Sequence, residues 1–168
     1  MSRLHLSTVF LSCAASIVVA GVAIPTRALA QTTHAHGHTV SAPAELKWAD
    51  VPSLPPGARM AVLEGPMSEA APFTARLRLP ANYRIPAHWH PAVERVTVLS
   101  GTFYISAGEV LEATKGLAVP AGGFTVMPAK MPHFAYTTSE PTEIQLHGTG
   151  PWGITYLNAA DDPRKKQP

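Results

Sequence analysis

From Glu45 onwards the chain is a succession of short segments in which apolar and polar residues alternate or β-branched residues cluster. Proline and glycine recur between these segments, where they favour turns and strand ends over helix interiors. Ten such segments in about 115 residues indicate an all-β antiparallel sandwich or barrel. The predicted strands are 46–48, 59–63, 73–79, 85–90, 95–99, 102–106, 124–127, 133–138, 142–148 and 154–157.

Two parts of this pattern are less decisive. Residues 109–115 predict at most a single helical turn. In the strand 142–148, Gln145 and His147 share one face and Ile144 and Leu146 share the other. If Gln145 and His147 point inward they support a site or contact a substrate, and if they point outward they are surface residues. The sequence leaves both alternatives open.

The predicted strand 85–90 carries an unusual concentration of metal-binding side chains. His88, His90 and Glu94 lie within seven residues, in the pattern HxHxxxE. Because side chains alternate along a strand, His88 and His90 face the same way, about 7 Å apart, and can bind one ion. Trp89, between them, is expected to face the other way and to pack.

A fourth ligand is expected from His133. This residue follows a turn bounded by Pro128 and Pro132, so the backbone defines the angle at which its imidazole enters the next strand. The sequence therefore predicts a metal site formed by His88, His90, Glu94 and His133.

Residues 1–30 are predicted to be a signal peptide. Arg3 gives a short basic start, residues 9–24 are almost wholly small or apolar, and the segment ends in an Ala-x-Ala pattern at Ala30. A transmembrane anchor is the alternative, but proline and arginine interrupt the apolar run before it reaches about 20 residues. No twin arginine is present. We therefore expect Sec-type export, cleavage after Ala30, a periplasmic or secreted protein, and no stable membrane insertion after cleavage.

The expected cleavage changes the chemistry of the mature chain. Cys13 is the only cysteine, so the mature protein would have no disulfide and no thiolate ligand, and a metal site must use nitrogen and oxygen. The leader also carries two of the 13 basic residues and none of the 11 acidic ones, which leaves a net charge near zero. No basic stripe remains for nucleic acid, and residues 164–166 are expected to be a solvated tail.

The predicted organisation after the leader has three parts. Residues 31–43 form a flexible arm whose His34, His36 and His38 either capture a transition metal loosely or are chance members of a polar spacer. Residues 44–160 form one barrel, and residues 161–168 form a polar tail. A chain of this length after cleavage is enough for one core and not for two.

The spacing of the proposed ligands resembles that of small single-domain cupins. Their first motif, G(x)5HxH(x)3–4E(x)6G, corresponds here to Asn82, His88, His90, Glu94 and Gly101. All of its ligand positions are kept.

The second cupin motif, G(x)5PxG(x)2H(x)3N, corresponds to Gly122, Pro128, Lys130, His133 and Thr137. Lys130 replaces a glycine, so that turn either differs in shape or carries strain. Thr137 replaces the terminal asparagine. In the first motif Asn82 also replaces a glycine, but asparagine tolerates the left-handed conformation well.

The resemblance implies a fold, a cofactor and a class of activity. The fold would be the cupin barrel, a jelly roll also called a double-stranded β-helix, and a homodimer would follow the habit of the family. Three imidazoles and one carboxylate would hold one divalent transition metal, namely Fe, Mn, Ni, Co, Cu or Zn, and would leave two positions of a six-coordinate ion open.

The expected activity is that of a metal-dependent oxidoreductase, similar to a dioxygenase, acting on a small chelating organic substrate. Glu94 would remain a ligand or act as the catalytic general base. The alternatives are a non-catalytic cupin that binds metal or a small ligand, and a redox-neutral isomerase or lyase. In a lyase Tyr104 or Tyr136 could accept a proton, although Tyr136 is out of phase with His133. Trp48 and Trp152 are expected to cover the barrel ends rather than to line a substrate pocket.

Overall fold

The computed structural model describes residues 39–165, and within them the chain is almost entirely β-structure with no α-helix. Three short 3-10 helices occupy Pro43–Glu45, Ala159–Asp161 and Pro163–Lys165. The strands are β1 (Ala49–Asp50), β2 (Arg59–Glu64), β3 (Pro72–Leu79), β4 (Arg84–Trp89), β5 (Glu94–Ser100), β6 (Thr102–Ala107), β7 (Leu117–Pro120), β8 (Phe124–Met127), β9 (His133–Tyr136), β10 (Thr142–Thr149) and β11 (Thr155–Tyr156).

The strands form two antiparallel sheets. The first has the order β1-β2-β3-β10-β5-β8 and the second the order β11-β4-β9-β6-β7. Consecutive strands such as β4 and β5 lie in different sheets, so the chain crosses repeatedly from one sheet to the other. The predicted all-β jelly-roll domain is confirmed.

The core lies between the inner faces of the two sheets. In β5, Val96 and Val98 are fully buried while Arg95 and Thr97 between them are partly exposed, as the alternation requires. Phe103 and Ile105 of β6 meet them from the second sheet. Burying each such side chain contributes about 1.5–3 kcal/mol.

Strand β10 settles which face of 142–148 points inward. Ile144 and Leu146 are each 3 % exposed and belong to the core. Gln145 lies on the outer face, where it accepts a hydrogen bond from Arg76 Nε at 3.3 Å. His147 shares that face, with its ring 6.2 Å from the ring of Phe124. Gln145 and His147 are therefore surface residues.

The predicted strands differ from the observed ones mainly in two places. The strand predicted at 46–48 lies slightly later, at Ala49–Asp50. Between the strands, residues 109–115 contain one turn, closed by a hydrogen bond from the Lys115 N–H to the Glu112 carbonyl at 2.9 Å, as the prediction of at most a single turn allows. Strand β7 was not predicted, because Leu117 is 72 % exposed and its short segment has no apolar-polar alternation. It pairs with β6, with Leu117 opposite Ile105.

The C-terminal segment is partly anchored to the barrel. Arg164 Nε and Nη2 donate to the two carboxylate oxygens of Asp162 at 2.7 and 2.8 Å, and Nη2 also donates to the Ile154 carbonyl at 3.2 Å. The guanidinium of Arg164 holds the pKa of the Asp162 carboxyl below its ordinary value. Arg164 remains exposed, as expected of a solvated tail, and these hydrogen bonds tether it to the barrel.

Several predictions fall outside the described residues. These are the signal peptide with its cleavage after Ala30, Cys13, and the histidines of the arm, His34, His36 and His38. Among residues 39–165, no helix is long and apolar enough to cross a membrane.

Candidate metal centre

Three histidines converge at the inner surface of the barrel. His88 of β4 and His133 of β9 are direct cross-strand partners, and His90 follows immediately after β4. One ring nitrogen from each histidine lies within 4.8 Å of the other two, which is close enough for a single ion to bridge all three. All three are buried: His88 is 3 % exposed, His133 is 1 % exposed and His90 is 6 % exposed.

Glu94, the first residue of β5, approaches the same point from the other sheet. Its Oε2 lies 3.2 Å from His133 Nε2, and its Oε1 lies 3.7 Å from His90 Nε2. The carboxylate is 8 % exposed. The structure thus brings together all four side chains that the sequence singled out.

Backbone carbonyls orient each imidazole. His88 Nδ1 donates to the Pro86 carbonyl at 2.6 Å, His133 Nδ1 to Met131 at 2.9 Å, and His90 Nδ1 to Gly153 at 2.7 Å. A carbonyl can only accept, so Nδ1 carries the proton and Nε2 presents a lone pair. Metal-binding histidines characteristically have such a partner on the second nitrogen.

The atoms that face the centre have no hydrogen-bond partners. His90 Nε2, His133 Nε2 and Glu94 Oε2 are buried and unpaired, since the 3.2 Å approach between the last two lacks hydrogen-bond geometry. Buried polar atoms are nearly always paired, and those left over require an explanation. A cation among them would satisfy all three at once, so the residues present fit a metal.

The protonation states in the absence of metal suit metal binding. Burial, and then the neighbouring His133 and His90, lower the pKa of His88 to about 3, and burial also lowers that of His90. Burial alone would raise the pKa of Glu94, but the close His133 and then His90 outweigh it, and the pKa is lowered to about 2. At neutral pH His88 and His90 therefore present neutral imidazoles and Glu94 presents a carboxylate, the forms that bind metal.

The turn between β8 and β9 supports two of the ligands. Lys130 has φ 60°, the left-handed conformation that glycine would adopt at this position of the cupin motif. Its N–H donates to the His90 carbonyl at 2.8 Å, and the next residue, Met131, accepts from His133. The glycine-like turn is kept, and a lysine adopts it.

The two other departures from the cupin motif are also accommodated. Asn82 has φ 56°, as expected for a residue that replaces glycine. The Thr137 hydroxyl accepts from the Tyr83 N–H at 2.9 Å and donates to the Pro80 carbonyl at 2.5 Å. Thr137 therefore joins β9 to the turn before β4 without an amide.

The four residues form one wall of a cavity of about 250 Å³. Apart from them, the lining residues are apolar with the exception of Ser53. No lysine or arginine of the described chain contributes. The main apolar residues are Val51, Leu54, Met60, Met67, Leu77, Ile85, Phe103, Ile105, Ile144, Leu146, Trp152 and Ile154.

Trp152 is part of this lining, which corrects the expectation that it only covers the barrel end. Its ring stacks on that of His90, with centroids 4.1 Å apart and planes inclined by 19°. Sequence reasoning also missed Gly153, whose carbonyl lies 63 residues from the His90 it orients. Trp48 does not line the cavity, and the Arg78 guanidinium lies over its ring at 4.0 Å.

The remaining aromatic candidates do not reach the site. The Tyr136 hydroxyl donates to the Ala113 carbonyl, and its ring stacks on Tyr104 at 4.9 Å. Neither tyrosine lines the cavity, and neither does Trp89.

Comparison with solved structures identifies the same architecture. The polyketide cyclase RemF from Streptomyces resistomycificus is 14 % identical, with TM-score 0.62, over 78 % of this chain and 94 % of that one. A provisionally assigned acetylacetone dioxygenase from Methylibium petroleiphilum is 18 % identical, with TM-score 0.58, over 79 % and 90 %. KdgF from a Halomonas species is 16 % identical, with TM-score 0.51, over 65 % and 93 %. At these identities the likeness shows the fold alone.

Comparison with curated proteins found no match in sequence. The model of the ChrR cupin-like domain family matches residues 36–153, which is most of the chain and includes all four candidate ligands. The chain therefore belongs to the ChrR cupin-like family, and the cupin resemblance of its two motifs is confirmed.

Proposed function

We propose that the protein is an exported, metal-dependent cupin enzyme that oxidises a small chelating organic substrate with dioxygen. The observation that carries the proposal is the convergence of His88, His90, His133 and Glu94, with three unpaired buried atoms, on one wall of an otherwise apolar cavity.

The donor set selects the class of metal. Neutral imidazoles with one carboxylate suit Fe, Mn, Ni, Co, Cu and Zn, whereas Ca and Mg prefer all-oxygen surroundings. Export would expose the site to copper and zinc first. Such an ion would supply a Lewis-acidic centre and, if redox-active, a partner for dioxygen.

The residues of the chain prepare this chemistry. The three carbonyls on Nδ1 hold the imidazoles in place, and mainly apolar side chains surround the centre. Glu94 balances one positive charge of the ion. It is also the only carboxylate among the lining residues, and hence the one such group that could take a proton from a substrate hydroxyl. Its pKa of about 2 in the metal-free site favours its role as a ligand.

The cavity restricts the substrate. Its volume of about 250 Å³ is slightly smaller than that of pockets for drug-sized ligands, which begin at about 300 Å³. The absence of lysine and arginine from the lining disfavours substrates with several negative charges, because these would be buried without partners. A compact molecule with one chelating end and an apolar body fits best.

Oxygen-electrode measurements test the proposal. Protein reconstituted separately with Fe, Mn, Co, Ni and Cu is assayed with a panel of enolic and catecholic compounds, and at least one pair should consume dioxygen. His133→Ala should abolish that activity, whereas His147→Ala, on the outer face, should retain it. No consumption with any redox metal would overturn the oxidoreductase assignment, and turnover without oxygen would favour a redox-neutral lyase or isomerase.

Glu94→Gln tests whether the site is catalytic at all. The amide keeps the shape of the side chain but is neutral and weakly basic. Under the proposal the variant retains at least part of its metal and loses turnover. If Glu94→Gln instead preserves the biological activity while His88→Ala abolishes metal retention, the protein is a binding module.

A further inference from the structure

The connection from β10 to β11 contacts the metal centre in two ways that the four ligands do not reveal. The Gly153 carbonyl accepts from His90 Nδ1, and the indole of the preceding Trp152 covers one face of the same imidazole. The two contacts come from adjacent residues. The same short segment therefore orients His90 and places Trp152 at the cavity.

This connection is held in place from both sides. Gly150 N–H donates to the Ala71 carbonyl at 2.9 Å, and Trp152 N–H donates to the Met67 carbonyl at 2.7 Å. A Cβ atom at Gly150 would collide with the Glu69 carbonyl, which shows how closely the two loops pack. The ring of Phe73 lies 5.4 Å from that of Trp152. The backbone that carries the indole is thus anchored to the neighbouring loop, and the indole forms a wall of the cavity.

The position of this wall restricts what can bind at the centre. His90 Nε2 faces the centre, and the Trp152 indole lies beside that imidazole, nearly parallel to it. A ligand that extends from the ion towards that side must contact the indole. Flat unsaturated bodies pack against an aromatic ring, edge-to-face or offset-stacked, more favourably than saturated bodies of the same size.

We propose that Trp152 is the specificity-determining residue of the cavity and that it selects planar, unsaturated chelators with an apolar body and at most one negative charge. The inference rests on the proposed function for the metal centre and names its substrate class. The limit on charge follows from the lining, in which Glu94 is already the one charged group.

Binding of three hydroxamates to the Co(II)-loaded protein provides the test, because their chelating end is identical. Acetohydroxamate has almost no body, benzohydroxamate has a flat ring, and cyclohexanecarbohydroxamate has a puckered ring with as many carbons. The dissociation constants are read from the visible spectrum of cobalt. The wild type should bind the benzo compound about 3- to 10-fold more tightly than the cyclohexane compound.

Trp152→Leu should abolish this preference when the affinity of each ring compound is taken relative to that of acetohydroxamate on the same cobalt-loaded protein. Trp48→Phe, which alters a tryptophan outside the cavity, should change nothing. Trp152→Phe should keep the preference and also admit 2-naphthohydroxamate, which the wild type excludes. This second variant decides the matter if Trp152→Leu does not fold.

The proposal is overturned if the wild type shows no preference for the flat ring, if Trp152→Leu keeps the preference, or if Trp152→Phe fails to admit the naphthyl compound. The cobalt content of the protein distinguishes a failure of the role proposed for Trp152 from a failure of the proposed metal-dependent function. Wild-type protein that binds cobalt without a flat-ring preference refutes only the role of Trp152. Protein that binds no metal refutes both.

Discussion

At the scale of single residues, the three histidines reach the same arrangement by different routes. His88 and His133 each donate to a carbonyl two residues earlier in the chain, so their orientation follows from the local backbone. His90 depends on Gly153, which is brought to it only by the complete fold. A motif search finds all three imidazoles, yet it does not find the contact that orients one of them.

Because these residues are buried, we predict that the metal-free protein becomes less stable as the pH falls. His88 has its pKa lowered from 6.5 to about 3 by burial and by its neighbours, so between these values the unfolded chain binds a proton that the folded chain does not. The pKa of Glu94 is lowered to about 2, so below pH 4.5 this residue also makes the free energy of unfolding fall with pH. The stabilisation is present at neutral pH and is lost as pH falls, by up to about 1.4 kcal/mol per pH unit for each group.

Urea unfolding of the metal-free protein at pH 7.5, 6.0 and 5.0 measures this effect. The free energy of unfolding should decrease towards pH 5.0, and His88→Gln should reduce the slope because it removes one of the two histidines with a lowered pKa. A free energy that is constant or rises over this range would contradict the prediction.

At the scale of elements, the turn between β8 and β9 shows how a motif position can change residue and keep its conformation. Lys130 is left-handed where glycine is usual, and the N–H and carbonyl groups of this turn hold His90 and His133. A non-glycine residue in that conformation costs about 1–2 kcal/mol. The hydrogen bonds at both ends of the turn offset this cost.

Substitutions at Lys130 should separate the conformation from the side chain. Lys130→Gly removes the backbone strain of the folded state but increases the conformational entropy of the unfolded chain. Each effect changes the free energy of unfolding by about 1 kcal/mol, in opposite directions, so the two nearly cancel. Lys130→Val places a β-branched residue at positive φ and should lower the free energy of unfolding by about 1–2 kcal/mol more. Urea unfolding of both variants compares them, and equal stability would show that the turn relaxes to another shape.

The elements also show what the sequence could and could not predict. The strands that bear ligands were predicted because apolar alternation and the motif coincide in them, and Asn82 and Lys130 behave as their motif positions imply. Strand β7 was missed because it is an exposed edge with no alternation. Trp152 was misjudged because its neighbour across the cavity, His90, is distant in sequence, and no periodic pattern records such a contact.

At the scale of the molecule, the candidate ligands join the two sheets. His88 and His133 belong to the sheet that contains β4 and β9, whereas Glu94 begins β5 in the other sheet. His90 lies on the connection between them. An ion bound by all four would therefore bridge the sandwich in the folded state only, and its binding energy would add to the stability of the fold.

Removal of metal should for this reason lower the melting temperature of the whole domain. A metal present at about 1,000 times its dissociation constant contributes about 4 kcal/mol, which for a domain of this size corresponds to a shift on the order of 10 °C. Differential scanning calorimetry before and after chelation, and after re-addition of zinc, measures the shift. His133→Ala should melt at the same temperature with and without metal. His147→Ala, whose ring lies on the outer face, should keep the full shift, and its loss in that variant would place the stabilising ion outside the cavity.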